Sequence, residues 1–150
     1  MGTQYKMKKI QTIFTALLLV VLFSFVSVVK AEIVIVVNKA TKLPGISLEE
    51  VGKLYLGQNK SLSNGQRVTV ADQAVASEIR KQFYQKVLNM TEKEVGRYWA
   101  KRKFTRKFKP PKMISGDLAV KQWVAITPNS LGYIDSKSLD GSVKVLLIIP

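Results

Sequence analysis

Five apolar residues in a row, Ile33 to Val37, open the patterned part of the chain. A β-branched run with no polar break suits a strand covered on both faces, as in a parallel sheet with helices on each side. The period then changes. Leu48, Val51, Leu54 and Tyr55 recur at helical spacing behind Ser47-Leu48-Glu49-Glu50, a capping box, and Gly57 stops the helix. Asn64-Gly65 marks a turn, after which Val68 and Val70 alternate with polar neighbours as in a short strand. Ile79, Phe83 and Val87 return to helical spacing. Thr91-Glu92-Lys93-Glu94 is a second capping box, before a helix with Val95, Tyr98, Trp99 and Arg102 on one face. Pro110 and Pro111 force an extended path. Ser115-Gly116-Asp117 opens another helix, with Leu118, Val120, Trp123 and Val124 apolar and Pro128 beyond its end. Leu131 to Asp135 and Val143 to Ile149 read as strands, with Asp140-Gly141 the turn before the last. Strands alternate with helices, so the fold class is α/β with a mainly parallel sheet flanked by helices.

The residues before this pattern read as a targeting segment. Lys6, Lys8 and Lys9 form a basic start, Ile10 to Val29 is almost wholly apolar, and Val29-Lys30-Ala31 places small residues where a signal peptidase reads. We read residues 1–31 as a signal peptide cleaved before Glu32, and 32–150 as one domain delivered to the periplasm. The apolar run approaches a membrane-spanning length, so a retained N-terminal anchor is the alternative.

Charge and composition narrow the chemistry. The 150 residues hold 24 Lys and Arg against 10 Asp and Glu, a net charge of +14. Four of those lysines precede residue 32, which leaves 20 basic against 10 acidic residues in the domain and a charge near +10. Such a balance favours an anionic partner without choosing one. Cys is absent, which excludes disulfides, thiol chemistry and a lipoprotein anchor. His is absent too, removing the commonest metal ligand and the commonest general base. With no paired carboxylates at catalytic spacing, the sequence points away from an enzyme and calls for no cofactor or metal.

The stretch Val68 to Phe83 carries the chemistry instead. It reads as a strand, a small-residue turn and a helix start, with Ser77 at the N-cap position and Arg80 three residues later. First-turn N–H groups lack intrahelical partners, and a Ser hydroxyl and an Arg fork add two more kinds of donor. The alternative is a capped helix with a surface Arg.

These residues resemble a family. Ser47 to Gly57, the stretch Asn64 to Val70 followed by Ser77 to Phe83, and Pro128 to Ile134 are similar, in the same order, to three segments of periplasmic phosphate-binding proteins of ABC transporters. The shape is closest to short stand-alone members, which resemble one lobe of the two-lobed receptor. The resemblance implies that Ser77 matches the Ser of the family's Ser-Gly-Thr motif and Arg80 the basic residue after its Thr. Ile79 and Glu78 replace that Thr and Gly, Gln73 stands where a ligand Arg is expected, and Phe104-Thr105-Arg106 replaces a Phe-Thr-Gly turn.

Asn38, Asp72 and Gln73, at strand carboxyl ends, are expected to face one crevice, although Asp72 reads more simply as a turn-former. The basic run from Lys101 to Lys112 has three readings. Lys101, Arg102, Lys103, Lys107 and Lys109 could grip an anionic polymer or membrane surface, with Phe104 and Phe108 as apolar contacts. Thr105 and Arg106 could close over a small anion. The simplest reading is a solvated loop whose aromatics pack on the core. Nucleic acid is disfavoured, because no recognised motif accompanies the charge. Trp99 and Trp123 read as core. The leading expectation is therefore non-catalytic binding of phosphate or a similar oxyanion, in uptake or sensing, beside an ABC transporter membrane component or an envelope protein. The alternative is an envelope interaction module that kept the fold, lost the ligand and holds an anionic partner through its basic run.

Overall fold

The computed structural model describes residues 32–102 and 109–150. The leader read over 1–31, and Lys103, Phe104, Thr105, Arg106, Lys107 and Phe108 of the basic run, lie outside the described residues.

Ile33–Val37 forms β1, with all five side chains buried. Ile33, Ile35 and Val37 enter one apolar cluster and Val34 and Val36 a second, the two-faced burial that an unbroken apolar strand requires. Helix α1 is Leu48–Tyr55. Its capping box is formed: Ser47 Oγ accepts from the Glu50 N–H at 3.2 Å, and Glu50 accepts from the Ser47 N–H at 3.1 Å. Strand β2 is Thr69–Asp72 and helix α2 is Glu78–Phe83. α2 runs straight into a π-helical turn, Tyr84–Leu88, which Asn89 ends in the left-handed region at φ 51°. Helix α3, Glu92–Arg102, starts at the second capping box, where the Thr91 N–H donates to Glu94 at 2.7 Å. Strand β3 is Lys112–Met113, helix α4 Asp117–Ile126, strand β4 Ser130–Asp135 and strand β5 Lys144–Ile149. Among the described residues no helix is long and apolar enough to cross a membrane.

The strands make one sheet in the order β3-β2-β4-β1-β5. β2 is parallel to β3 and to β4, whereas β1 is antiparallel to both β4 and β5. Four strands thus share a direction and β1 opposes them. The sheet is mixed rather than mainly parallel in its pairings, because a run such as Ile33–Val37 reports burial on both faces and not strand direction. Helices α1, α2 and α3 contribute Val51, Tyr55, Phe83, Val95 and Trp99 to the cluster on one face. α4 contributes Val120 and Val124 to the cluster on the other. Gly132 of β4 is needed for the second contact. A Cβ there would meet Val120 Cγ1 at 2.7 Å and Val124 Cγ2 at 3.3 Å.

Candidate functional site

β2 ends on Asp72 and is followed by Gln73, and a short turn leads into α2 with Ser77 at its cap and Arg80 in its first turn. Asp72 is only 4% exposed, and a buried carboxylate needs donors on every side. It has four. Oδ1 accepts from the Tyr133 hydroxyl at 2.6 Å and the Gln73 N–H at 2.9 Å. Oδ2 accepts from the Tyr84 hydroxyl at 2.5 Å and from Arg80 Nε at 3.0 Å. Arg80 then reaches a second carboxylate, with Nη1 2.5 Å from Glu92 Oε1 at the start of α3, while its guanidinium lies 4.7 Å from the Tyr84 ring centre. The same Glu92 oxygen accepts from the Ala76 N–H at 3.2 Å.

Electrostatics follow from this packing. Burial pushes the Tyr133 hydroxyl well above the ordinary phenol range, and repulsion from Asp72 pushes it further. Tyr84 and Tyr55 move the same way for the same two reasons. Burial works against the charge on Arg80, but attraction to Asp72 and hydrogen bonds to both carboxylates outweigh it, so its pKa is raised. Ser77 occupies the N-cap position with extended dihedrals, yet its side chain caps nothing. Its Oγ is buried and has no hydrogen-bond partner.

No protein-family model and no curated protein sequence matches the chain. Solved structures do. A phosphate ABC transporter substrate-binding protein from Clostridium perfringens, with phosphate bound, aligns over 77% of this chain and 45% of its own at TM-score 0.62 and 18% identity. An ABC-type phosphate transport receptor from Vibrio cholerae aligns over 77% and 46% at TM-score 0.59 and 20% identity. PstS from Borrelia burgdorferi aligns over 77% and 47% at TM-score 0.59 and 16% identity. The fold is that of phosphate substrate-binding proteins. The chain spans less than half the length of each of these three.

Within this substrate-binding-protein fold, Asp72, Gln73, Ser77 and Arg80 gather at the carboxyl end of β2. Gln73 is 1% exposed and fully engaged. Its Nε2 donates to Asp117 at 2.7 Å and to the Tyr133 carbonyl at 3.2 Å, and its Oε1 accepts from the Gly116 N–H at 3.1 Å. It joins β2, β4 and the head of α4. Asn38 does not share this crevice. Because β1 runs antiparallel to β4, Val37 pairs with Leu131, and Asn38 emerges at the opposite end of the sheet from Asp72. There its Nδ2 donates to the Val124 and Ala125 carbonyls at 3.0 and 2.8 Å, closing the last turn of α4. The expectation of a shared crevice assumed parallel strands, and the reversal of β1 removes it.

Of the basic run, Arg102 donates to the Leu56 carbonyl at 3.0 Å, as the Tyr98 hydroxyl does at 2.6 Å, docking α3 on the end of α1. Lys101 and Lys109 are exposed. Lys109 lines a groove of about 400 Å³ with Lys60, Val68, Thr69 and Lys112. A neighbouring hollow of about 420 Å³ shares Lys60, Val68 and Thr69 and adds Arg67. Both sit by the start of β2, away from Ser77 and Arg80. Trp99 packs in the core and Trp123 is partly buried, its ring 5.1 Å from Lys112 Nζ. Among the described residues no cluster of three or more His, Cys, Asp or Glu is placed to hold a metal.

Sequence reasoning missed Glu92, Tyr84 and Tyr133. A charged Asp ending a buried strand demands a partner, and that demand could have linked Asp72 to Arg80. Nothing in the spacing links either to Glu92, which reads as one more acid in a helix start.

Proposed function

We propose that the domain is an exported, non-catalytic binding protein for a small oxyanion, phosphate first, serving uptake or sensing beside an ABC transporter membrane component or an envelope protein. The periplasm is its place if residues 1–31 act as the leader they resemble. The observation that carries the reading is the Ser77 hydroxyl, buried without a partner at the N-cap of the helix that carries Arg80. A buried polar group without a partner is costly in a folded protein unless something else meets it. The first-turn N–H groups of α2 adjoin it and lack intrahelical acceptors. Proteins that share the fold are described as phosphate-binding or phosphate-transporting, which agrees with the chemistry of this donor set.

The test uses Ser77 rather than Arg80, since truncating Arg80 would strand Asp72 and confuse folding with binding. Ser77→Ala removes no internal hydrogen bond, so stability should hold within about 0.5 kcal/mol. Phosphate affinity, measured by calorimetry with sulfate as comparison, should fall by about 1.5–3 kcal/mol, the scale of a hydrogen bond to a charged group. Equal affinity in both proteins would take Ser77 out of the site. One observation favours the second reading, a fold kept as an interaction module: both faces of the Arg80 fork are already held by carboxylates. Absence of heat with either anion at millimolar concentration, in the native protein and in Glu92→Gln alike, would select that reading.

A further inference from the structure

Glu92 does what a bound oxyanion would do. Its Oε1 accepts from Arg80 Nη1 at 2.5 Å and from the Ala76 N–H at 3.2 Å. An anion held by one guanidinium fork and one turn amide has this pair of donors as its minimum set. The carboxylate arrives from another element, sixteen residues along the chain from Ala76, while the Ser77 hydroxyl, next in the chain after Ala76, is buried without a partner. A side chain serving only to neutralise Arg80 could do so without the Ala76 amide, because Asp72 already holds the Nε edge of the same fork.

We propose that Glu92 is a built-in competitor that occupies the anion position of the Ala76–Ser77–Arg80 cradle, so that an oxyanion binds only by swinging this carboxylate out. The inference rests on the oxyanion-binding reading and adds its regulation. Arg80 is 11% exposed behind a Glu92 side chain that is 22% exposed, so the outer group is the one with room to leave. It needs no backbone movement: Thr91 and Glu94 fix the helix start on their own, and a change of rotamer suffices. Beside it lies an open hollow of about 300 Å³ that also borders Lys81 and Lys93, cations able to receive the displaced carboxylate. Asp72 stays in place throughout, held by two tyrosines and the Gln73 amide, and keeps the guanidinium oriented.

The test compares inorganic phosphate and sulfate binding, by calorimetry, to the native protein, Glu92→Gln and Glu94→Gln. Gln at 92 keeps the size and a carbonyl acceptor for Ala76 but removes the charge that excludes a dianion. Glu94→Gln removes an equal charge two residues away, from a side chain whose hydrogen bonds go to the cap, and controls for general electrostatics. Thermal unfolding of each variant confirms folding, with Glu92→Ala as the second variant should Glu92→Gln unfold. We expect both anions to bind Glu92→Gln at least tenfold tighter than the native protein, with Glu94→Gln within twofold of native. The Ala76 amide resonance should also move on adding phosphate to Glu92→Gln. Equal binding to native protein and Glu92→Gln, or equal gains in both variants, would overturn the competitor while leaving the oxyanion reading intact. Silence in the native protein and in both Glu92 variants would overturn the two together.

Discussion

At the scale of single residues, the chain solves one problem several times over: where to put Asp72. Two tyrosine hydroxyls and an Arg converge on a carboxylate at the end of a buried strand, and each donor is the neutral or cationic form of its group. The tyrosines should betray this at high pH. Tyr55, Tyr84 and Tyr133 have folded-state pKa values raised by burial and by Asp72, whereas unfolding returns each to about 10. Above that pH the unfolded chain gives up protons the folded chain keeps, so stability is full below pH 10 and falls as pH rises. The loss is up to about 1.4 kcal/mol per pH unit for each buried phenol. Urea unfolding between pH 9 and 11.5 should therefore steepen, and Tyr133→Phe should lower that slope by about one proton while also losing stability at neutral pH. A slope unchanged by the substitution would mean that Tyr133 already ionises in the folded protein.

At the scale of elements, β4 lies close against α4 at Gly132. Gly132→Ala would drive a methyl to 2.7 Å from Val120 Cγ1, with Val124 and Ala71 closing the other sides. Overpacking of this kind costs about 1–3 kcal/mol, read from the midpoint of urea unfolding, and Val120→Ala in the same protein should recover part of it. A neutral Gly132→Ala would show that α4 can slide on the sheet. This contact was legible as a motif, Leu131-Gly132-Tyr133, but not as a reason, since only the packing of α4 supplies one. The same division runs through the chain. Both capping boxes formed where Ser47 with Glu50 and Thr91 with Glu94 predicted them, because the signal is local and complete within four residues. The direction of β1 was not legible. Ile33–Val37 is equally apolar whichever way it runs, and the pairing that decides it is made with β4 and β5, about a hundred residues later. That one reversal carried Asn38 away from the site. Of the candidate site, Ser77 and Arg80 could be read from a strand, turn and helix start. Asp72, Tyr84 and Glu92 around Arg80, and Tyr133 behind Asp72, come from four elements that only tertiary structure brings together.

At the scale of the whole molecule, the two readings of function use different surfaces and should answer differently to salt. Oxyanion binding at Arg80 draws on one guanidinium whose field is already balanced by Asp72 and Glu92. The excess positive charge lies elsewhere. Around the start of β2, Lys60, Arg67, Lys109 and Lys112 line two adjoining hollows with no acidic residue among their walls. A polymeric anion lying there would release one condensed counterion for nearly every charge it meets, whereas a small anion in the cradle would not. Arg67→Gln combined with Lys109→Gln should then reduce the slope of log affinity for linear polyphosphate against log salt by about 1.4–1.8, at roughly 0.7–0.9 per charge, and leave orthophosphate binding to the cradle unchanged. Should the slope stay where it is, the polymer is held by another part of the basic surface. Should orthophosphate binding fall with it, the two sites share their field, and the charge near the start of β2 serves to draw small anions toward Arg80.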